Sequence, residues 1–151
     1  MDFQWFKKPT TIKIGFEDVQ QFIKFSASHS HSPFFAIDEN SVTNANCLLI
    51  NTLPPTDQNC LIKNTTEIAA EEGIINNIID NYNTKYKKII IYGKNSADCS
   101  PDLKAHQLFN LGFTNIYIYC GGLFEWLLLQ DIYGEQEFPT TQKVADILHF
   151  K

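Results

Sequence analysis

The sequence contains no arginine: all 12 basic residues among its 151 are lysine. A site built from this chain therefore has no planar guanidinium with which to grip a carboxylate, sulfate or phosphate in two-pronged fashion. Cysteine is sparse and scattered. Cys47, Cys60, Cys99 and Cys120 form no CxxC pair, which excludes a zinc ribbon and a thioredoxin-type redox motif. His29, His31, His106 and His149 supply no HExxH pair. His29 and His31 lie in a Ser/His-rich tract that reads as a solvated loop rather than a weak metal site, so no metal or cofactor is expected. Long apolar runs are also missing. Stretches such as Leu127–Leu129 fall far short of the roughly 20 residues a membrane helix needs. The segment 1–8 carries its charge after its apolar residues and is not a secretory leader. A cytoplasmic protein, or one enclosed in a particle assembled in the cytoplasm, is expected.

What is present describes a globular domain. Apolar residues make up 44% and charged residues 19%, a balance that supports a buried core in a chain of this length. The net charge of −5 argues against general affinity for nucleic acid or anionic membranes.

Residues 1–10 read as an arm, with Trp5 and Phe6 available for packing. Thr11–Ile14 reads as a short strand, and Glu17–Phe25 as a helix with Val19, Phe22 and Ile23 on one face. The stretch from Ser26 to Asn46 is polar and turn-rich, broken by Phe34, Phe35 and Ile37, and reads as a long loop or small hairpin. Cys47–Asn51 is a buried strand ended by Pro54-Pro55, and Cys60–Ile62 a second short one. Asn64, with Glu67 three residues on, has the form of a capping box for a helix. That helix carries Ile68, Ile75, Ile78 and Ile79 along a stripe and ends near Asn81. Lys88–Tyr92 is the clearest buried strand. After the loop Gly93–Ser100, Ser100 is placed to cap a helix whose first position is Pro101. Leu103, Leu108 and Leu111 are expected to line that helix, and Gly112 to stop it. Ile116–Tyr119 is a further strand, and Cys120-Gly121-Gly122 leads into a helix over Leu123–Gln130. Alternating strands and helices predict an α/β domain with a mainly parallel sheet covered on both faces. Ligands of such sheets bind where strands end and helices begin, so the loops after Asn51, Tyr92 and Tyr119 are the places to look.

The run Leu111-Gly112-Phe113 through Gly121-Gly122 to Trp126 is similar to the "LGF…V…GG…W" stretch of the rhodanese-like family, which includes sulfurtransferases and Cdc25-type phosphatases. Upstream, Leu48–Thr52 resembles that family's "LIDVR" strand, Asn59–Asn64 stands where "GHIPGA" is usual, and Ile14–Val19 resembles the entry to its first helix. The resemblance covers about residues 11–133. It implies a rhodanese-like domain there, flanked by the arm 1–10 and a tail 134–151 packed on the domain. The departures concern chemistry. Active members place a cysteine directly after the strand, where this chain has Gly93. Asn51 and Leu53 replace the acid and base of "DVR". The segment from Gly93 to Gly112 is slightly longer than in sulfurtransferases, as in the phosphatase branch, but the cysteine and arginine of that branch are both absent from the matching positions.

The loop residues Gly93, Lys94, Asn95, Ser96, Asp98 and Ser100 remain candidates for binding. A loop opening onto a helix N-terminus offers backbone N–H groups to an anion, and Lys94 adds charge. Asp98 and Pro101 oppose this, one by its charge and the other by its missing donor. Cys99 is the candidate nucleophile, since a helix N-terminus favours a thiolate; its alternative role is a small semi-buried residue. Cys120 ends a strand and lies near the same edge. His106, on the following helix, is expected at the surface or in packing.

The helix Leu123–Gln130 is apolar nearly all round and must be covered. Its expected cover is the tail, through Phe138, Val144, Ile147, Leu148 and Phe150; the alternative is a partner or a homodimer contact. The resulting expectation is a catalytically inactive rhodanese-like module that binds a protein or a small anion at its loop edge. The alternative is a sulfurtransferase or persulfide carrier using Cys99. A phosphatase is disfavoured, because phosphoryl transfer needs strong cationic stabilisation and the loop offers one lysine.

Overall fold

The computed structural model describes residues 11–29 and 47–151, without the side chains of residues 25–29. The arm 1–10, and His31, Phe34, Phe35 and Ile37 in the polar stretch, lie outside the described residues. Among the described residues, eight main elements follow one another: β1 (Ile12–Ile14), α1 (Phe16–His29), β2 (Cys47–Asn51), α2 (Ile68–Asp80), β3 (Lys88–Tyr92), α3 (Ser100–Asn110), β4 (Ile116–Tyr119) and α4 (Gly122–Tyr133). The four strands form one sheet in the order β1-β4-β3-β2, every pairing parallel.

Alternation of side chains across the sheet divides the core in two. On one face Leu49, Ile90, Tyr92 and Tyr119 meet Val19 and Ile23 of α1 and Leu123, Trp126 and Leu127 of α4. On the other, Ile50, Ile89, Ile91, Ile116 and Ile118 meet Ile75 and Ile78 of α2 and Ala105 and Leu108 of α3. Covering both faces explains why β3 reads as an unbroken apolar run instead of an alternating one. Its Ile89, Ile90 and Ile91 are completely buried, each contributing about 1.5–3 kcal/mol relative to exposure.

The bounds of β2, β3 and β4 coincide with the runs read from the sequence. Several local expectations are corrected. Helix α1 continues through Ser26 to His29, residues assigned above to a loop. Cys60–Ile62 is no strand; it contributes one antiparallel bridge, Ile62 to Thr140. Asn64 caps nothing. It turns the chain with φ +68°, and α2 begins at Ile68 after Glu67, without a side-chain cap bond. The Thr65 hydroxyl instead donates to the Ile62 carbonyl at 2.6 Å and lies 2.7 Å from the Tyr92 hydroxyl. That phenol, wholly buried, also accepts the Ile62 N–H at 3.2 Å. Burial raises its pKa well above that of a free tyrosine, although the bonds with Thr65 and Ile62 act the other way. Tyr92 thus ties segment 62–65 to the middle of the sheet, and tertiary bonding overrides a local capping signal. The stripe residues are corrected too: Ile68, Leu103 and Leu111 are exposed, while Pro101, Ala105 and Leu108 form the buried face of α3.

The segment after α4 folds back over it. Phe138 packs edge-on against Trp126 at 5.0 Å between ring centroids, and the Trp126 Nε1–H donates to the Pro139 carbonyl. Val144, Ile147 and Phe150 join the same cluster, whereas Leu148 is exposed. Among the described residues, no helix is long and apolar enough to cross a membrane.

Candidate functional site

Parallel strands deliver the segments after β2, β3 and β4 to one edge of the sheet. Gly93, the first residue beyond β3, is buried. A Cβ there would collide with the Asp98 carboxylate (Oδ2) and lie 2.8 Å from Pro101 Cγ. What this position demands is space. The space is filled by the loop itself: Lys94 N–H donates to Asp98 Oδ2 and Ser100 N–H to Asp98 Oδ1, each at 2.9 Å. The carboxylate therefore occupies the first backbone donor of α3, that of Ser100, together with the Lys94 N–H of the loop. Ser100 is not the cap but the first helical residue, and it turns its Oγ to Thr52 Oγ1 at 2.7 Å. Partial burial alone would raise the Asp98 pKa. The N–H bonds from Lys94 and Ser100, the Ser100 hydroxyl and the Lys94 ammonium outweigh it, and the net shift is downward.

The start of α4 is satisfied in the same way. Leu123 N–H donates to the Gly93 carbonyl at 3.0 Å and Phe124 N–H to the Lys94 carbonyl at 2.9 Å. This contact requires glycine at 122, which has φ +68° and whose Cβ would stand 2.9 Å from both Asn95 N and Gly93 O. The second glycine of the pair thus lets the β3–α3 loop rest directly on α4.

On the β2 side, Asn51 holds the following turn. Its Oδ1 accepts the Leu53 N–H at 3.1 Å and the Gln58 amide at 2.8 Å, and Leu53 is buried. The positions of the family's acid and base thus serve a turn and a core. The tail reaches this edge as well. Asn95 Nδ2 donates to the Phe150 carbonyl at 3.1 Å, and His149 Nε2 lies 2.9 Å from Asp57 Oδ1. The 3-10 turn Ile147–Phe150 is therefore strapped to both flanking loops, an arrangement that local patterns in the sequence do not signal because its partners lie far apart in the chain.

The candidate residues separate by exposure. Ser96, Ala97 and Cys99 form the exposed tip of the loop, while Lys94, Asn95, Asp98 and Ser100 are partly buried. All four cysteines are free. Cys99 Sγ faces the Ala97 carbonyl at 3.9 Å, and Cys120, half-buried, faces the Ile118 carbonyl. Cys47 starts β2 at the opposite edge of the sheet, where burial pushes its thiol up to about 11 despite the nearby Lys88 and Lys87. Burial also raises Cys60, against the effect of its bonds to Thr140 and the Gln142 carbonyl. Neither is a ready thiolate. His106 is exposed on α3. Among the described residues, no group of three His, Cys, Asp or Glu side chains could hold a metal ion; the side chain of His29, and all of His31, lie outside them.

Comparison with known proteins brings a match to the rhodanese-like domain over residues 35–129. No curated protein matches. Among solved structures, the Alr3790 protein from Anabaena sp. is similar with a TM-score of 0.50 at 15% identity, covering 90% of this chain and 97% of that one. Ygr203w, described as a yeast protein tyrosine phosphatase of the rhodanese family, aligns with a TM-score of 0.49 at 12% identity, covering 91% of this chain and 97% of that one.

Proposed function

Because the chain belongs to the rhodanese-like domain family, we propose that it is a member without catalysis at the usual loop, working as a protein-binding module through the strand-end edge. The observation that carries this reading is the Asp98 carboxylate beside Gly93, filling the space that a nucleophilic side chain would need. Catalysis at such a loop requires an attacking atom and donors aimed at the charge that develops. Here Gly93 supplies no side chain, and the N–H groups of Lys94 and Ser100 already serve Asp98. The same bonds weigh against a small free anion as the ligand. A protein needs no vacant cradle, only a shaped surface, and the tip Ser96-Ala97 with Cys99 stands exposed on a loop held by α4 and by the tail. The test pairs Ser96→Glu/Ala97→Glu with the parent protein in affinity capture from source cells. Loss of a specific partner from the variant alone supports the module; identical partner sets for both remove the loop tip from it.

The second reading rests on the exposure of Cys99. In it, the Cys99 thiolate attacks the outer sulfur of thiosulfate, sulfite leaves, and the resulting persulfide passes its sulfur to cyanide or a thiol. Reduced protein incubated with thiosulfate, then alkylated and mapped by mass spectrometry, distinguishes the two. The module predicts four unmodified cysteines under conditions that load a working rhodanese. Sulfur on Cys99, abolished by Cys99→Ser and unaffected by Cys47→Ser or Cys60→Ser, makes the protein a carrier.

Asp98 also predicts a pH dependence. Its pKa is lowered on folding, so its carboxylate stabilises the fold above the unfolded value of about 4 and that contribution is lost as pH falls through the folded value. Urea denaturation from pH 7 to pH 3 should show the parent losing more stability than Asp98→Asn, with the gap between them closing at the acid end. Parallel pH profiles for the two proteins would mean that the charge of Asp98 contributes nothing.

A further inference from the structure

Beside the strand-end edge, on the face carrying α2 and α3, runs an open groove of about 460 Å³. Its floor includes the hydroxyls of Thr52 and Ser100, 2.7 Å apart. Its walls include Ile68, from the first turn of α2, and Leu103, from the first turn of α3. These aliphatic side chains are 50% and 64% exposed, although the other large apolar residues of each helix pack inward. Two exposed aliphatics flanking a concavity mark a place for an apolar side chain from outside. The charges around them are unequal. Glu71 is paired with Lys104, so the one lysine among the described lining residues is already engaged. Glu72 lines the groove as an exposed carboxylate, and Glu67 and Asp102 are exposed immediately next to Ile68 and Leu103 in the chain. The positive ends of α2 and α3 face acids within their own first turns, Glu71 and Asp102.

We infer that this groove receives a cationic, apolar-anchored segment of a partner protein: an aliphatic side chain set between Ile68 and Leu103, with a lysine or arginine directed at Glu72. The inference rests on the binding-module reading and adds to it the chemistry of the partner and a second contact, alongside the loop tip. Charge complementarity selects this occupant over an acidic peptide, which the carboxylates of Glu67, Glu72 and Asp102 would repel.

The test uses the full chain, isotopically labelled, titrated with a synthetic peptide bearing two leucines flanked by lysines and with a control in which glutamates replace the lysines. The expected result is saturable shifts at Ile68, Glu72 and Leu103 with the lysine peptide alone, weakened about tenfold or more by Leu103→Asp and by Glu72→Lys. Ile132→Asp, on the exposed side of α4, should leave binding unchanged, and an unperturbed spectrum of each variant shows that it folds. Shifts confined to residues 93–100 would overturn the groove while keeping the module. Absence of saturable binding, shifts spread over the whole surface, or equal response to both peptides would overturn the groove as well. Retained groove binding, with the partner captured equally by Ser96→Glu/Ala97→Glu, would move the module from the loop tip to the groove.

Discussion

Gly93→Cys, which puts the family's usual residue back at the end of β3, is expected to yield a less stable protein that still lacks sulfurtransferase activity. The new Cβ meets the Asp98 carboxylate and Pro101, and crowding of this kind in a packed site costs about 1–3 kcal/mol. Yielding on either side is costly. Moving Asp98 breaks its bonds from Lys94 N–H and Ser100 N–H, and moving the backbone disturbs the carbonyl of Gly93, which accepts from Leu123 at the start of α4. Denaturant melts together with a thiosulfate-to-cyanide assay check both halves of the expectation. The double variant Gly93→Cys/Asp98→Gly relieves the contact with the carboxylate while leaving that with Pro101 and giving up the bonds from Lys94 and Ser100 N–H, so it should be more stable than the single one only if the carboxylate is the main obstacle. An active and fully stable Gly93→Cys would show that the loop adapts to a nucleophile and would remove the main support for a non-catalytic domain.

Trp126→Ala should be the more damaging change to stability. Trp126 is completely buried, stands edge-on to Tyr119 and Phe138 at 6.2 and 5.0 Å, and donates its indole N–H to the Pro139 carbonyl. Removing such a ring costs about 3–5 kcal/mol, a large share of the stability of a small domain. The loss should spread to the strand-end edge, since Trp126 joins α4 to the returning tail that reaches Asn95 through Phe150. Thermal and urea melts measure the first effect, and amide exchange in residues 93–98 the second. A loss below about 1 kcal/mol, smaller than the range for deleting a buried aromatic ring, would mean that the tail closes the cavity.

The sheet was legible because β2, β3 and β4 are largely buried on both sides, whereas β1, at the edge, is mostly exposed. Ile89–Ile91 and Cys47–Asn51 stand out as apolar runs whatever surrounds them. Capping signals were less dependable. The Asn64…Glu67 spacing suits a helix start, yet the Thr65 hydroxyl is engaged by Tyr92 and the Ile62 carbonyl, contacts that exist only once β3 is in place. Ser100 has the right chemistry for a cap, but Thr52 engages its hydroxyl from the neighbouring strand end. At the site, the sequence sets Gly93 directly after the β3 run and places an acid near the helix start. It does not reveal that the acid folds back into the space beside Gly93, because that depends on the absence of a side chain five positions earlier. The partnership of Asn95 with Phe150 and of His149 with Asp57 is equally hidden, being set by the path of the tail over α4.

That path has a consequence for where the domain can be cut. Among the described residues, Phe138, Val144, Ile147 and Phe150 come after all four strands and complete the layer over α1 and α4. A fragment ending at Tyr133 would keep every element of the sheet and still uncover Trp126 and its neighbours, leaving a contiguous apolar patch of the kind that drives association. A boundary drawn at the end of α4 therefore divides one core, and such a fragment is expected to aggregate where the longer chain does not.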